Sequence, residues 1–245
     1  MSKNVFDNDE FFENYKKVRV KSDSYNNLLE QPAIKPLLPN LSGKTILDMG
    51  CGFGFSCVEF RKKGAMKVIG IDISEKMVNA ANSENTDENL IFMKLDIDKI
   101  DTLGVKFDIV YSSMTMHYIA DFAAAVKKVH SVLNDGGVFV FSQEHPLVTA
   151  AKAGPIWITD ENDVKTAAPI SDYLENGERN YIWFETNVTK QHRSFSAIVN
   201  SLLENEFIVE KVVEPTPDAR VLEIAPRMYD EMHRPTAIVI KARKA

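Results

Sequence analysis

The sequence has few cysteines and no long apolar run. Cys51 and Cys57 are the two cysteines among 245 residues, which argues against a disulfide framework. No apolar stretch approaches the roughly 20 residues that a membrane-spanning helix needs. The acidic segment 1–10 lacks the apolar core of a signal peptide. We therefore expect a cytoplasmic protein that does not span a membrane.

Positive charge is also in short supply. The chain has 29 lysines and arginines against 35 aspartates and glutamates, which gives a net charge of −6. This balance argues against broad nucleic-acid binding. A chain of this length can bury about 70% of its unfolded surface, so it needs no metal or disulfide for stability. We expect no metal site and no nucleic-acid partner, and either a monomer or a homodimer.

Short apolar runs alternate with helix-like segments between residues 44 and 142. The predicted strands cover residues 44–49, 67–72, 89–96, 107–112 and 138–142. Buried strands separated by helices indicate an α/β fold with a doubly wound, mainly parallel sheet. Ligands bind such sheets at the carboxyl ends of the strands.

The flanking segments have a different pattern. Residues 1–40 predict short helices broken by prolines, which we expect to form an N-terminal helical lid ahead of a main domain, 41–245. Both tryptophans lie in an insertion at about 143–192, which we expect to be irregular apart from a strand at 181–184. A helix at 194–205 and strands at 207–213 and 236–241 follow.

A glycine-rich turn follows the first predicted strand. Although the chain has only eleven glycines, Gly50, Gly52 and Gly54 fall within five positions. Glycine permits a tight turn and lets a ligand approach the bare backbone. The alternative, a glycine turn without a ligand, is tested by the residues around it.

Those residues indicate an adenosine ligand. Asp72 ends the second strand, 18 residues after Gly54, where a carboxylate can accept hydrogen bonds from ribose hydroxyls. The alternative role for Asp72 is to cap the next helix, but Ser74 already offers a cap. An acid followed by isoleucine recurs at the third strand, in Asp96 and Ile97. Ile73 and Ile97 could therefore hold an adenine while Asp96 accepts from its amino group.

The charge beside the turn favours one adenosine cofactor. The glycine spacing is G-x-G-x-G, which differs from the G-x-G-x-x-G of dinucleotide folds, and Asp48 stands just before it. A carboxylate suits a cationic ligand better than a diphosphate. S-adenosylmethionine carries a sulfonium and an ammonium and no phosphate, so it fits better than a dinucleotide.

Five segments resemble the successive motifs of class I S-adenosylmethionine-dependent methyltransferases. They are residues 46–54, 68–77, 95–97, 107–118 and 133–142. The resemblance implies seven strands in the order 3-2-1-4-5-7-6, the last one antiparallel. It implies contacts from Gly50 and Gly52 to the methionine portion of the cofactor, from Asp48 to its amino end, from Asp72 to the ribose and from Asp96 to the adenine amino group.

Further residues resemble those of a bacterial subgroup of methyltransferases, which are type 11-like and act on small molecules. The segments that carry this likeness contain Tyr15, Arg19, Asn27 and Glu30, then residues 144–146 and 192–194. The likeness implies that Arg19 binds the cofactor carboxylate and that Tyr15 closes over it; the alternative for Arg19 is a solvated helix charge. The remaining predicted cofactor contacts are Cys51, Ile73, Met77, Ile97, Ser112 and His117.

Two histidines are candidate general bases. His145 follows the fifth strand and His192 precedes a helix after the insertion, so both are expected to face the pocket mouth. His117 is expected near the methyl-transfer centre, either there or packed under the cofactor. His130 and His233 are expected to be structural or surface residues.

The expected function is methyl transfer from S-adenosylmethionine to a small-molecule acceptor by in-line displacement, with S-adenosylhomocysteine as the product. The apolar candidates for the substrate walls are Trp157, Tyr173, Trp183 and Phe184. Three alternatives remain open: an RNA or protein acceptor, a non-catalytic S-adenosylmethionine-binding module, and a nucleotide-dependent oxidoreductase. Asp48 and the glycine spacing disfavour the last.

Overall fold

The computed structural model describes residues 4–83 and 85–245. The strands in this part of the chain are β1 (Thr45–Met49), β2 (Lys67–Asp72), β3 (Leu90–Lys94), β4 (Phe107–Ser112), β5 (Leu133–Glu144), β6 (Ile158–Thr159), β7 (Lys165–Ala167), β8 (Gly177–Trp183), β9 (Thr186–His192), β10 (Phe207–Val213) and β11 (Ala237–Lys244).

Seven of these strands form one sheet in the order β3-β2-β1-β4-β5-β11-β10. The first five strands pair in parallel, whereas β11 is antiparallel to both of its neighbours, β5 and β10. This arrangement confirms the expected doubly wound sheet and its order, because β11 and β10 are the seventh and sixth strands of the sheet in the family's numbering.

Helices cover both faces of the sheet. They are α1 (Asp9–Arg19), α2 (Gln31–Ile34), α3 (Phe55–Lys62), α4 (Glu75–Asn82), α5 (Phe122–Val132), α6 (Pro146–Thr149), α7 (Phe195–Glu204) and α8 (Ala219–Ile224). Shorter 3₁₀ or π turns occupy Val5–Asp7, Asn26–Glu30, Lys35–Leu37, Ile97–Leu103, Met116–Tyr118 and Pro226–Met232. No helix in the described ranges is long and apolar enough to cross a membrane.

The alternation of side chains along β1 explains why both faces need a cover. Leu47 belongs to the apolar cluster that includes Val129 of α5, while its neighbour Ile46 belongs to the cluster that includes Phe60 of α3. All four side chains are buried. A strand with apolar residues on both sides is stable only between two layers of helices.

The fifth strand begins earlier than predicted. The sequence predicts a strand from residue 138 after a turn, but β5 starts at Leu133, directly after α5. Phe107 pairs with Leu133 and Ile109 pairs with Val138, so residues 134–137 form a bulge against β4. Gly136 has a φ of +69°, which lets the strand bend there without ending.

The insertion is more regular than predicted. It contains two hairpins, β6–β7 and β8–β9, and the predicted strand at 181–184 is the end of β8. The turn between β8 and β9 places Phe184 and Glu185 at φ values of +49° and +58°. Neither residue is a usual turn former at positive φ, so the sequence carries no turn signal at this point.

Candidate active site

The glycine-rich turn forms the floor of the site, at the carboxyl end of β1. Gly50 and Gly52 have φ values of +72° and +53°. A Cβ added to Gly50 would lie 2.8 Å from Cβ of Thr115, whereas one added to Gly52 would meet no atom within 4 Å. Gly50 is therefore required by protein packing, and Gly52 borders open space.

Asp72 connects the end of β2 to this turn. Its Oδ2 accepts the backbone N–H of Gly52 at 3.0 Å, and its Oδ1 accepts that of Ser74 at 2.8 Å. Burial raises the pKa of Asp72, and the two backbone N–H groups oppose this rise. Ser74 caps α4 through the N–H of Met77, as the sequence predicted.

A cavity of about 640 Å³ opens from the turn and runs along the carboxyl ends of the strands. Its inner part is lined by Gly50, Gly52, Asp72, Ile73, Met77, Asp96 and Ile97. Its outer part is lined by residues from other elements, among them Phe6, His117, Tyr118, Glu144, Trp183 and Asn187. One continuous space therefore joins the predicted adenosine contacts to the insertion.

A smaller cavity of about 40 Å³ also borders the turn, and Tyr15, Gly50 and Gly52 line both spaces. Arg19 of α1 also lines the smaller one. The Nη1 atom of Arg19 is buried and has no hydrogen-bond partner among the described residues. A buried guanidinium nitrogen without a partner is costly, so this geometry calls for an anionic ligand group.

Asp48 is a buried carboxylate beside the smaller cavity, with an exposed fraction of 2%. Its Oδ2 accepts a hydrogen bond from Sγ of Cys57 at 3.1 Å. Burial raises the pKa of Asp48 to about 7; the Cys57 bond opposes this rise, and the negative charges of Asp72 and Glu30 add to it. A cation placed here would stabilise the ionised form.

His117 lies in the turn after β4, and its Nδ1 accepts the backbone N–H of Glu144 at 3.2 Å. A ring nitrogen that accepts carries no proton, so the neutral ring is protonated on Nε2. Burial, followed by the charges of Lys190 and Arg193, holds the pKa of His117 well below its usual range. Nε2 has no partner within the described part of the chain, so the Nε2–H is a free donor.

Aromatic side chains connect α1 to the β8–β9 hairpin above the site. The ring of Trp183 meets those of Phe11 and Tyr15 edge-to-face, with centroids 5.5 and 5.7 Å apart. Tyr15 also stacks on Phe53 of the glycine turn at 6.1 Å. These contacts place the N-terminal segment and the insertion over the same cavity.

Comparison with known proteins identifies the family. The model of a family described as a methyltransferase domain matches residues 40–191, which is more than half of the chain. The chain belongs to this methyltransferase family. The predicted resemblance to class I S-adenosylmethionine-dependent methyltransferases, and the expectation of an enzyme, are thereby confirmed.

Some relatives of this methyltransferase match it over most of both chains. An uncharacterized protein of Haemophilus influenzae is 36% identical over 98% of this chain and 96% of its own length. The crystal structure of a Listeria monocytogenes protein superposes with a TM-score of 0.82 at 36% identity, covering 88% of this chain and 96% of that one. That of an S-adenosylmethionine-dependent methyltransferase of Mesorhizobium loti gives 0.80 at 35% identity, covering 88% and 97%.

Most of the predicted cofactor residues of the methyltransferase line the two cavities. They are Tyr15, Arg19, Asp48, Gly50, Cys51, Gly52, Asp72, Ile73, Met77, Asp96, Ile97 and His117. Ser112 is the exception, because it is fully buried and its hydroxyl donates to the carbonyl of Met49 at 2.9 Å. The next residue, Ser113, lines both cavities instead.

Neither predicted base, His145 or His192, lines either of the two cavities formed by the described residues. In His145, Nδ1 accepts the N–H of Leu147 at 3.1 Å and Nε2 lies 2.9 Å from Glu214, so this ring caps α6. His192 is fully buried, with Nδ1 bonded to Thr149 at 2.8 Å and Nε2 to the carbonyl of Tyr173 at 2.8 Å. Both rings hold the insertion together.

Of the predicted substrate-wall aromatics, only Trp183 lines the large cavity within the described ranges. Trp157 lies between Lys165 and Arg234, whose charges are 4.7 and 4.2 Å from its ring. Tyr173 packs on His192, and Phe184 packs on Trp183. Trp157, Tyr173 and Phe184 therefore support the insertion rather than the cavity wall.

Sequence reasoning missed two charged residues that support the site, the buried Glu30 and the half-buried Arg193. Glu30 is fully buried and accepts from the hydroxyls of Ser113 at 2.9 Å and Ser142 at 2.5 Å, which fixes the N-terminal segment to β4 and β5. Arg193 donates to the carbonyls of Ile119 and Ala120 in the loop after His117. Both residues lie in segments that carry the family likeness, but the sequence gives no local signal for either role.

Proposed function

We propose that this methyltransferase transfers a methyl group from S-adenosylmethionine to a small-molecule acceptor, releasing S-adenosylhomocysteine. The cavity of about 640 Å³ carries this proposal, because it is continuous from the glycine turn to the β8–β9 hairpin. Its size lies within the range of small-molecule sites. The inner part takes the cofactor, and the outer part remains for the acceptor.

The methionine portion of the cofactor fits the residues around the smaller cavity. The unpartnered Nη1 of Arg19 offers a donor to the carboxylate of the cofactor. Asp48, on the same cavity, offers a negative charge to its ammonium group. The open space at Gly52 lets the ligand pass close to the backbone between the two cavities.

The adenosine portion fits the inner part of the large cavity. The carboxylate oxygens of Asp72 each accept one backbone N–H and retain a lone pair for a ribose hydroxyl. Ile73 and Ile97 offer apolar contacts to the adenine, and Asp96 offers an acceptor to its amino group. Asp72 and Ile73 lie at the end of β2, and Asp96 and Ile97 follow the end of the neighbouring strand β3.

The methyl donor is S-adenosylmethionine, whose sulfonium supplies a leaving group that is already activated. The residues of the chain then have to align the acceptor and exclude water from it. We infer that residues 4–40 act as a lid for this purpose, with the β8–β9 hairpin as the facing wall. Tyr15 and Trp183, in edge-to-face contact, close the space between them.

The charge of the cavity favours a small molecule over RNA. Among the described residues that line the large cavity there are five carboxylates and no lysine or arginine: Asp72, Asp96, Asp98, Asp121 and Glu144. An RNA site needs cations near its mouth to hold the phosphates.

The test is to incubate the protein with methyl-labelled S-adenosylmethionine and three fractions of a bacterial extract: an ultrafiltrate of small molecules, total RNA, and protein. We expect label to accumulate in the ultrafiltrate. The Gly52→Val variant serves as the control for transfer by contaminating enzymes. Transfer to RNA or protein alone would contradict the small-molecule assignment.

A further inference from the structure

Glu144, at the end of β5, contains an unusual carboxylate. Its Oε1 forms an ion pair with Nζ of Lys190 at 2.5 Å, and both side chains are nearly buried, with 13% and 12% exposed. Its Oε2 is buried without a hydrogen-bond partner among the described residues. Glu144 lines the outer part of the large cavity. A buried carboxylate oxygen without a partner calls for a donor from a bound molecule.

A donor and an acceptor are adjacent at this point. The backbone N–H of Glu144 donates to Nδ1 of His117. The free Nε2–H of His117 and the unpartnered Oε2 of Glu144 therefore belong to two directly bonded residues. Both residues line the same cavity. The cavity lining therefore includes one N–H donor and one carboxylate acceptor on two residues that are hydrogen-bonded to each other.

The loop that carries His117 is fixed from the insertion. Arg193, next to the end of β9, donates to the carbonyls of Ile119 and Ala120, and its guanidinium stacks on Phe122 at 5.2 Å. Lys190, which pairs with Glu144, lies on β9 itself. Lys190 of the hairpin and Arg193 just after it thus order both members of the donor–acceptor pair.

We infer that the acceptor of this methyltransferase is a hydroxyl group on a planar ring, with the hydroxyl bound between His117 and Glu144. This inference rests on the proposed function and names the acceptor class within it. A hydroxyl accepts from Nε2–H and donates to Oε2 at the same time. The rings of Phe6, Tyr118 and Trp183 line the same part of the cavity and suit an aromatic body.

Other acceptor groups fit this pair less well. A neutral amine has a single lone pair, which the Nε2–H of His117 would occupy, so it could not attack. An ammonium group would place donors against that same N–H. A carboxylate would be repelled by Glu144. An oxygen keeps a second lone pair for the methyl group while it accepts the hydrogen bond.

The transfer balances with these groups alone. The hydroxyl proton passes to Oε2 of Glu144 as an oxygen lone pair forms the new O–CH₃ bond. The bond between the methyl carbon and sulfur breaks, and its electron pair stays on sulfur. His117 remains neutral throughout and holds the oxygen in line. The proton on Glu144 is then released to solvent.

The test compares four naphthalene probes on protein saturated with S-adenosylhomocysteine: 2-naphthol, 2-methoxynaphthalene, 2-(aminomethyl)naphthalene and 2-naphthoate. Affinities are measured by calorimetry or by quenching of tryptophan fluorescence. We expect 2-naphthol to bind about tenfold more tightly than the methoxy compound, because the latter has no proton for Glu144. Equal binding of these two, or tighter binding of the amine or the carboxylate, would overturn the inference.

Variants test whether His117 and Glu144 cause the preference for 2-naphthol. On protein saturated with S-adenosylhomocysteine, we expect Glu144→Gln and His117→Phe each to lower the ratio of 2-naphthol to 2-methoxynaphthalene affinity to about one. The exposed residues Glu185 and His233 supply the matched controls, Glu185→Gln and His233→Phe, which should keep the ratio. A ratio unchanged in both test variants would overturn the inference. If a variant no longer binds S-adenosylhomocysteine, its affinity ratio is not used. The comparison of 2-naphthol with 2-methoxynaphthalene on the wild-type protein then decides the inference.

The two proposals fail in different ways. If S-adenosylhomocysteine does not bind to the wild-type protein, the proposed function fails. If it binds and 2-naphthol shows no preference, the proposed function stands and the hydroxyl acceptor is wrong.

Discussion

The carboxylate of Asp72 accepts the backbone N–H of Gly52 at 3.0 Å, which ties the end of β2 to the glycine-rich turn after β1. One side chain thus shapes the turn and faces the cavity. The same oxygens that order the turn have lone pairs left for a ligand. The site is therefore preorganised by the residue that we propose to bind the ribose.

Replacing Asp72 should weaken cofactor binding. We expect Asp72→Ala to lower the affinity for S-adenosylmethionine by about 1.5–3 kcal/mol, the typical contribution of hydrogen bonds to a charged group. Calorimetric titration measures this loss, and Asp101→Ala, at an exposed position outside the cavity, is the control. An affinity equal to that of the wild type would remove Asp72 from the site.

Substitutions of the two glycines of the turn should have different effects, one on stability and the other on binding. Gly50→Ala forces its Cβ against Thr115 and should lower the melting temperature, whereas the side chain in Gly52→Val enters open space. Since both positions have positive φ, some loss of stability is common to both variants. We expect Gly52→Val to stay folded, by circular dichroism, and to lose S-adenosylmethionine binding. Normal binding by this variant would show that the ligand does not pass Gly52.

Arg19 should discriminate between ligands with and without a carboxylate. The chain offers its unpartnered Nη1 for that group. We expect Arg19→Gln to weaken S-adenosylhomocysteine about tenfold or more and to leave 5′-methylthioadenosine, which lacks the amino-acid portion, nearly unchanged. Equal losses for both ligands would instead indicate that Arg19 supports the lid as a whole.

Asp48 should make cofactor binding depend on pH. Because its pKa is raised to about 7 by burial, the carboxyl is largely protonated below that pH in the free protein. The cofactor ammonium favours the ionised form, so binding releases a proton, and affinity should rise with pH and level off above about 7. Calorimetry in buffers from about pH 6 to 8.5 measures this rise, and Asp48→Asn should abolish it.

The same pKa sets a stability difference. A folded-state pKa above the unfolded value means that stability is present at low pH and is lost as the pH rises through about 7. Asp48→Asn should therefore melt at a higher temperature than the wild type at pH 8. A variant that is less stable than the wild type at this pH would contradict the prediction, because it would show that the ionised Asp48 carboxylate stabilises the fold.

Much of the inner site follows from local sequence. The turn at Gly50 and Gly52 and the acids Asp72 and Asp96 are set by strand ends, and parallel strands bring such ends to one edge. These four residues line the large cavity, and the position of each depends on only a few neighbouring residues. The strand order, by contrast, is implied by the resemblance to class I S-adenosylmethionine-dependent methyltransferases, and the observed sheet confirms it.

The outer site depends on long-range contacts that no local pattern encodes. The place of Glu144 in it is set by Lys190, which reaches the site only because the β8–β9 hairpin folds back through a turn of Phe184 and Glu185. A position just after a strand also fails to fix where a side chain points. His145 satisfies that rule, yet it turns to cap α6.

The most direct test of the account is calorimetric titration of the purified protein with S-adenosylmethionine, S-adenosylhomocysteine and NAD in parallel. We predict micromolar binding of the first two and no heat of binding with NAD. Binding of NAD alone, or no binding of either sulfur ligand, would contradict the assignment of the cavity to S-adenosylmethionine.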